Sequence, residues 1–203
     1  MYHQRVNVAA FILAGGRSTR MGKDKDKAFL ELAGRSLVRR AMDLAATVTT
    51  EIQIVGEPEK FLTIGPAVPD IFSGCGPLGG IHAALSQSNH DLNLVLAVDL
   101  PLVQPSFLAY LVAQASQTSA LATVPRAAGG WQPLCAVYRR QFAELAERAL
   151  KQRKNKIDAL FFPADIREIG EAELQRSGFQ ARMFSNLNTP GDFEQAEREL
   201  SGR

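Results

Sequence analysis

The sequence predicts an α/β fold: a mostly parallel sheet with helices on both faces. Three observations predict it. Short apolar runs alternate with longer amphipathic ones along the chain. Most of the short runs are apolar on both faces, as strands covered on both sides are. The length of 203 residues, with 46% hydrophobic and 22% charged residues, suits one domain spanning 1–203 with a sizeable core.

The elements follow in order. VNVAAFILA (6–14) is a first strand, and SLVRRAMDLAATV (36–48) has helical spacing. EIQIVG (51–56) alternates and ends in glycine, and AVPDIF (67–72) holds a short strand. GPLGGIHAALSQS (76–88) is a helix whose start Pro77 marks. LNLVLAVD (92–99) is a near-continuous apolar strand, followed by a helix over 105–116 with Pro105 in its first turn. Strands over 120–125 and 132–139 flank RAAGGW (126–131), the best candidate for a mobile loop. An amphipathic helix over 140–154, an edge strand over 165–170 and a closing helix over 190–203 complete the chain.

The bulk numbers exclude several classes. The 23 Lys and Arg against 21 Asp and Glu leave a net charge of only +2, too balanced for bulk attraction to nucleic acid or membrane. Cys75 and Cys135 form neither a metal-spaced cluster nor a disulfide framework and read as two small buried thiols. His3, His82 and His90 are isolated packing or surface residues, and no Ser-His-Asp or Cys-His arrangement is visible. The N-terminal apolar run lacks a basic start and passes straight into a charged loop, so it reads as a buried strand. No stretch approaches the ~20 apolar residues that span a bilayer. The expected compartment is the cytoplasm.

In a parallel sheet, ligands bind beyond the carboxyl ends of the strands. The residues that matter are then Gly15-Gly16, Asp70 and Asp99. The glycines open FILAGGRSTRMGKDK, which matches neither standard phosphate motif. A Walker loop needs four residues between its glycines and a hydroxyl after its lysine, whereas Gly16 and Gly22 are separated by five and Asp24 follows Lys23. A dinucleotide fingerprint needs G-x-G, and Gly15 and Gly16 are adjacent. What remains is a long loop of small residues carrying Arg17, Arg20, Lys23, Lys25 and Lys27. Its backbone N–H groups can wrap a triphosphate and its cations can neutralise it. A solvated charged loop is the alternative.

LAGGRSTRMG followed by DKAFLELAG resembles the molybdenum cofactor guanylyltransferases. The resemblance continues through SGCGPLGGIHAAL (73–85), LAVDLPLV (96–103), WQPLCAVYR (131–139) and NLNTP (186–190), in order over almost the whole chain. It implies a Rossmann-like nucleotide-diphospho-sugar transferase fold. It also implies transfer of GMP from GTP to the phosphate of molybdopterin, with release of pyrophosphate. The acceptor is already anionic, so the chemistry is positioning and charge neutralisation. Mg²⁺ is the implied cofactor and Asp99 its carboxylate, a hard oxygen ligand. By the same resemblance Lys27, Asp99 and Arg20 are catalytic, and Leu13, Ala14, Gly15, Gly16, Lys27, Asp70 and Asp99 bind nucleotide. Asp70 is expected to accept hydrogen bonds from guanine or ribose. Gly15 stands where related cytidylyltransferases carry alanine, which favours a purine.

The implied partners are GTP and molybdopterin, with other cofactor-biosynthesis proteins and molybdoenzyme apoproteins as further candidates. The chain departs from the family pattern at Gly56-Glu57, where a polar base contact is common, and at Gln132, where histidine is common. Trp131 either stacks on a pterin or simply packs, and the KQRKNK run (151–156) reads as a solvated helix end. Asn186 and Asn188 either support the site or belong to the cap of the last helix, with Thr189 as cap and Pro190 at its first position. The phosphate lysine has two registers: counting from Gly22 favours Lys25, and counting back from AFLELAG favours Lys27. Lys27 is chosen, because the downstream segment is anchored by Phe29, Leu30 and Leu32 while a loop absorbs extra residues at small entropic cost. Two rival functions keep some of these features. One is nucleotidyl transfer with another base or phosphate acceptor, such as cytidylyl transfer to molybdopterin. The other is a non-catalytic nucleotide and cofactor carrier.

Overall fold

The computed structural model describes residues 6–15, 26–161 and 166–201. Its first strand, β1 (Val8–Leu13), is buried along its whole length. A short hairpin, β2 (Glu31–Leu32) and β3 (Arg35–Ser36), leads into helix α1 (Leu37–Ala45). Then come β4 (Ile52–Val55), β5 (Ala67–Val68), α2 (Pro77–Gln87), β6 (Leu92–Ala97) and α3 (Pro105–Ser116). The second half holds β7 (Ala122–Ala127), β8 (Gly130–Trp131), β9 (Cys135–Arg139) and α4 (Phe142–Lys151). It continues with β10 (Ile166–Ile169), α5 (Glu171–Arg176) and α6 (Pro190–Ser201).

The main sheet runs in the order β10-β7-β9-β6-β1-β4-β5, with β8 paired to β7. Strand β1 lies parallel to both β4 and β6, β4 to β5, and β7 to β10. Strand β9 runs against both of its neighbours, β6 and β7. The sheet is therefore mostly parallel, as expected.

Strand period and helix placement explain the two layers. Val8, Ala10 and Ile12 point into one core with Leu37, Val38 and Ala41 of α1 and Phe107, Leu108 and Leu111 of α3. Ala9, Phe11 and Leu13 point into the other, with Leu78, Ile81 and Leu85 of α2 and Phe142, Ala146 and Leu150 of α4. Successive residues of one strand thus feed opposite cores. Each large side chain buried this way contributes about 1.5–3 kcal/mol, so a one-residue slip in β1 would be costly.

Three sequence expectations change. RAAGGW is a hairpin rather than a mobile loop: Ala127 pairs with Gly130 around Ala128 and Gly129, both with positive φ. That is the two-residue geometry whose twist matches paired strands. Ala33 and Gly34 turn β2 into β3 in the same way. The segment 67–72 is strand only at Ala67–Val68, so Asp70 stands two residues beyond a strand end. Cys135 is buried, whereas Cys75 is only half-buried.

Candidate active site

Three chain segments meet at the carboxyl edge of the sheet. The first follows the glycine loop. Asp26 accepts a hydrogen bond from the Ala28 backbone N–H at 3.2 Å and starts a 3-10 turn over Lys27–Phe29. Ala28 and Leu32 are fully buried and anchor that turn, while Phe29 is 39% exposed and stacks on Phe61 at 5.4 Å. The anchor on the rigid side is therefore Ala28 and Leu32 more than Phe29. The second segment leaves β6, whose neighbour Val98 still bonds to the Leu13 carbonyl, and delivers Asp99. The third is the lead into α6, where the Leu187 N–H bonds to the Asp99 carbonyl at 3.1 Å.

Lys27 is the meeting point. Its Nζ donates to Asp99 Oδ2 at 2.8 Å and to Asn188 Oδ1 at 3.1 Å. Both members of the ion pair are largely shielded, with side-chain exposures of 16% and 21%. The other Asp99 oxygen, Oδ1, is buried and has no hydrogen-bond partner among the described residues. A buried carboxylate oxygen left without a donor is costly, and a hard cation is one of the few partners that satisfies it. Among the described residues no three His, Cys, Asp or Glu side chains cluster as a metal cage. A cation here would take Asp99 and complete its shell with ligand oxygens, the usual habit of Mg²⁺.

A second carboxylate faces different surroundings. Asp70 Oδ1 is also buried without a partner among the described residues, and burial pushes this carboxyl above its ordinary value. Its flanks are glycines. A Cβ on Gly15 would lie 3.9 Å from Asp70 Oδ2, and one on Gly80 would lie 3.7 Å from Oδ1 and 3.3 Å from Leu13 Cδ2. Gly76, at φ 65°, turns the chain into Pro77 and sets α2 close against this edge. Leu13 and Ala14 are buried and Gly15 is exposed, so the backbone at Gly15 borders open space beside the Asp70 carboxylate.

The remaining sequence candidates sort clearly. Gly16, Arg20 and Lys25 lie outside the described residues. The room at Gly56 is filled: an added Cβ would meet Phe61 Cε2 at 2.8 Å, so a side chain at this position would have to displace the buried Phe61 ring. Trp131 packs edge-on against Phe161 at 5.2 Å and carries the Arg126 guanidinium over its ring at 5.5 Å. Gln132 Nε2 donates to the Ala127 carbonyl within its own hairpin. Residues 151–156 are exposed. Asn186 is exposed, whereas Asn188 joins Lys27. The sequence reading missed Asp192, whose carboxylate accepts from the backbone N–H groups of Asn188 and Thr189. Its signal was present as Thr189-x-x-Asp192, a variant of the capping box.

Comparison with known proteins places the chain in a family. The MobA-like NTP transferase domain matches residues 10–164. A probable molybdenum cofactor guanylyltransferase of Pelotomaculum thermopropionicum is 35% identical over 198 residues, covering 95% of each chain. The molybdenum cofactor guanylyltransferase of Desulfosudis oleivorans is 33% identical over 195 residues, covering 95% of this chain and 96% of its own. Among solved structures, the molybdopterin-guanine dinucleotide biosynthesis protein A of Archaeoglobus fulgidus superposes with a TM-score of 0.82 at 26% identity, covering 96% of this chain and all of that one. The fold alone extends to a CMP:2-keto-3-deoxy-manno-octonic acid synthetase, with a TM-score of 0.73 at 12% identity. With a domain match over most of its length and guanylyltransferase relatives aligned end to end, the chain belongs to the MobA-like NTP transferase family, among the molybdenum cofactor guanylyltransferases.

Proposed function

We propose that the chain, acting as a single domain over residues 1–203, transfers GMP from GTP to the phosphate of molybdopterin. The observation that carries the reading is the convergence of Lys27, Asp99 and Asn188 on one sheet edge. They come from three separate motifs and make a charged cluster that a packing role does not require. The guanine and molybdopterin assignments rest on the named activity of the relatives.

In the reaction an oxygen of the molybdopterin phosphate attacks the α-phosphorus of GTP. The bond from that phosphorus to the β-phosphate oxygen breaks, and its electron pair leaves with pyrophosphate. An anion attacking an anion needs charge neutralisation and alignment more than a base. Lys27 supplies a fixed ammonium at the phosphate end. Asp99 would hold a divalent cation, taken as Mg²⁺, which supplies further neutralisation of the triphosphate when bound. Asn188 keeps Lys27 on this edge when Asp99 engages another cation. At the opposite end Asp70 accepts hydrogen bonds from the guanine N–H groups or from ribose, beside the bare backbone of Gly15. Gly16 and Arg20 belong to the same phosphate loop by sequence. No helix among the described residues is long and apolar enough to cross a membrane, and the proposed place of work is the cytoplasm.

Pyrophosphate release tests the reading, measured with each of the four NTPs and Mg²⁺, with and without molybdopterin. GTP should support turnover that depends on molybdopterin. Preference for CTP would move the chain to cytidylyl transfer. Tight nucleotide binding without any turnover would make it a carrier.

A further inference from the structure

We propose that Asp192 is a positioning residue for Lys27, acting through Asn188; its role in the reaction rests on the guanylyl-transfer reading above. Asp192 sits at the third position of α6. Its Oδ2 accepts from the backbone N–H of Asn188 at 2.8 Å and of Thr189 at 2.7 Å. Its own N–H points back to Thr189 Oγ1 at 3.3 Å. A helix cap needs only the exchange between Thr189 and Asp192. The bond to the Asn188 N–H lies one residue further out and does something different. It fixes the backbone of the residue whose Oδ1 receives Lys27.

The neighbouring contacts turn this into a bracket. On one side of Asn188 the Leu187 N–H is tied to the Asp99 carbonyl. On the other side Asp192 holds Asn188 and Thr189. Along α6, Glu197 accepts from the Ala33 N–H at 3.3 Å, at the tip of the hairpin that follows Lys27. The start of α6 is thus aligned with both acceptors of Lys27, although Asn188 itself is exposed. A carboxylate accepting two short charge-assisted bonds does that holding. The same two N–H groups keep its pKa below the ordinary value, so it stays ionised in the working range.

Competitive amine labelling of the nucleotide-free full chain tests this, with Lys27 followed by mass spectrometry against exposed Lys151 as internal reference. Asp192→Ala should raise Lys27 labelling about fivefold, the size of one ordinary hydrogen bond. Asn188→Ala should do the same, and the double variant no more than either. Asp192→Asn, which keeps an acceptor oxygen, should restore most of the protection. GTP transfer should follow the same non-additive pattern at a temperature well below every variant's Tm. A helix cap alone would lower Tm while leaving Lys27 labelling and transfer as in the wild type, and that result overturns the proposal. Additive effects of Asp192→Ala and Asn188→Ala also overturn it. Should Asp192→Ala not fold, Asp192→Ser keeps a polar helix start and carries the same comparison. Labelling is independent of turnover, so a wild type inactive with GTP would sink the functional reading without deciding the bracket.

Discussion

The two carboxylates at the sheet edge are treated in opposite ways. Asp99 has an ammonium at 2.8 Å, held by residues from three segments, and keeps one oxygen in reserve. Asp70 has a buried oxygen unpaired among the described residues, glycines on either side and a pKa raised by burial. One end is closed around charge and the other is left open around an acceptor. The difference shows how, on the proposed function, a single edge would take the two ends of a nucleotide. A triphosphate needs fixed positive charge and a cation site, which that reading assigns to the cross-braced Asp99 end. A base offers N–H groups and a flat face, which the same reading assigns to the Asp70 end.

The largest effect should come from breaking the closed end. Asp99→Ala should lower turnover by about 10² or more, typical for losing a main electrostatic element. Its Tm should stay near wild type, because the side chain lies beyond the strand and outside the core. Lys27→Ala should also be crippled while Lys25→Ala stays close to wild type; the reverse would place the phosphate lysine upstream.

The open end should respond next, and through binding. Asp70→Asn swaps an acceptor for an amide and should raise the KM for GTP roughly tenfold, the loss of a charge-assisted hydrogen bond. Since burial raises the Asp70 pKa, the wild-type KM should begin to climb with falling pH before an ordinary carboxylate would titrate. The variant should lack that step. Gly15→Ala sharpens the same contrast. Its new methyl would sit at ordinary contact distance from Asp70, so the fold should tolerate it. Steady-state rates with GTP and CTP should then show a larger loss for GTP. Equal losses would mean that Gly15 serves the backbone rather than the base.

The smallest effect lies away from both ends. His82 is buried on α2, edge-on to Phe72 and beside Ser86, and α4 presents Glu147 and Lys151 to it. Burial, the largest influence, lowers its pKa. An unfolded histidine takes its proton near pH 6.5 while the folded one does not. Stability should therefore fall as pH drops below about 6.5, until the folded His82 also protonates. His82→Gln should lack that fall, a difference on the order of a few degrees in Tm.

Much of this was legible because it rests on burial. Strand β1 is an unbroken apolar run and β6 a near-continuous one, interrupted by Asn93, and Pro105 fixes the start of α3 to the residue. Asp99 and Asp70 were legible as residues just past strands. The missed parts rest on contacts rather than on pattern. Ala33-Gly34 and Ala128-Gly129 turn two hairpins, yet an alanine at positive φ carries no turn signal of its own. Helix α5 is too short for periodicity to show. Asn188 was left between a cap and a site role because it belongs to both: its N–H goes to the helix start and its side chain to Lys27. The space at Gly56 is invisible until Phe61 is seen to fill it.

The union of Lys27 with Asn188 spans 161 residues of chain. Contacts of such high sequence separation carry a large loop-closure entropy before they stabilise anything, so they should form late in folding. On the ribosome, the strands from β1 to β6 can pair while the segment that brackets Lys27 is still being made. A nascent chain can therefore hold much of its sheet before Lys27 meets Asn188. Asn188 is exposed although Leu187 beside it is in the core, so the bond from Lys27 to Asn188 is an early place to open under mild denaturant. Activity should then fade before the sheet melts, and the enzyme's working life would be set by its last-joined seam rather than by its core.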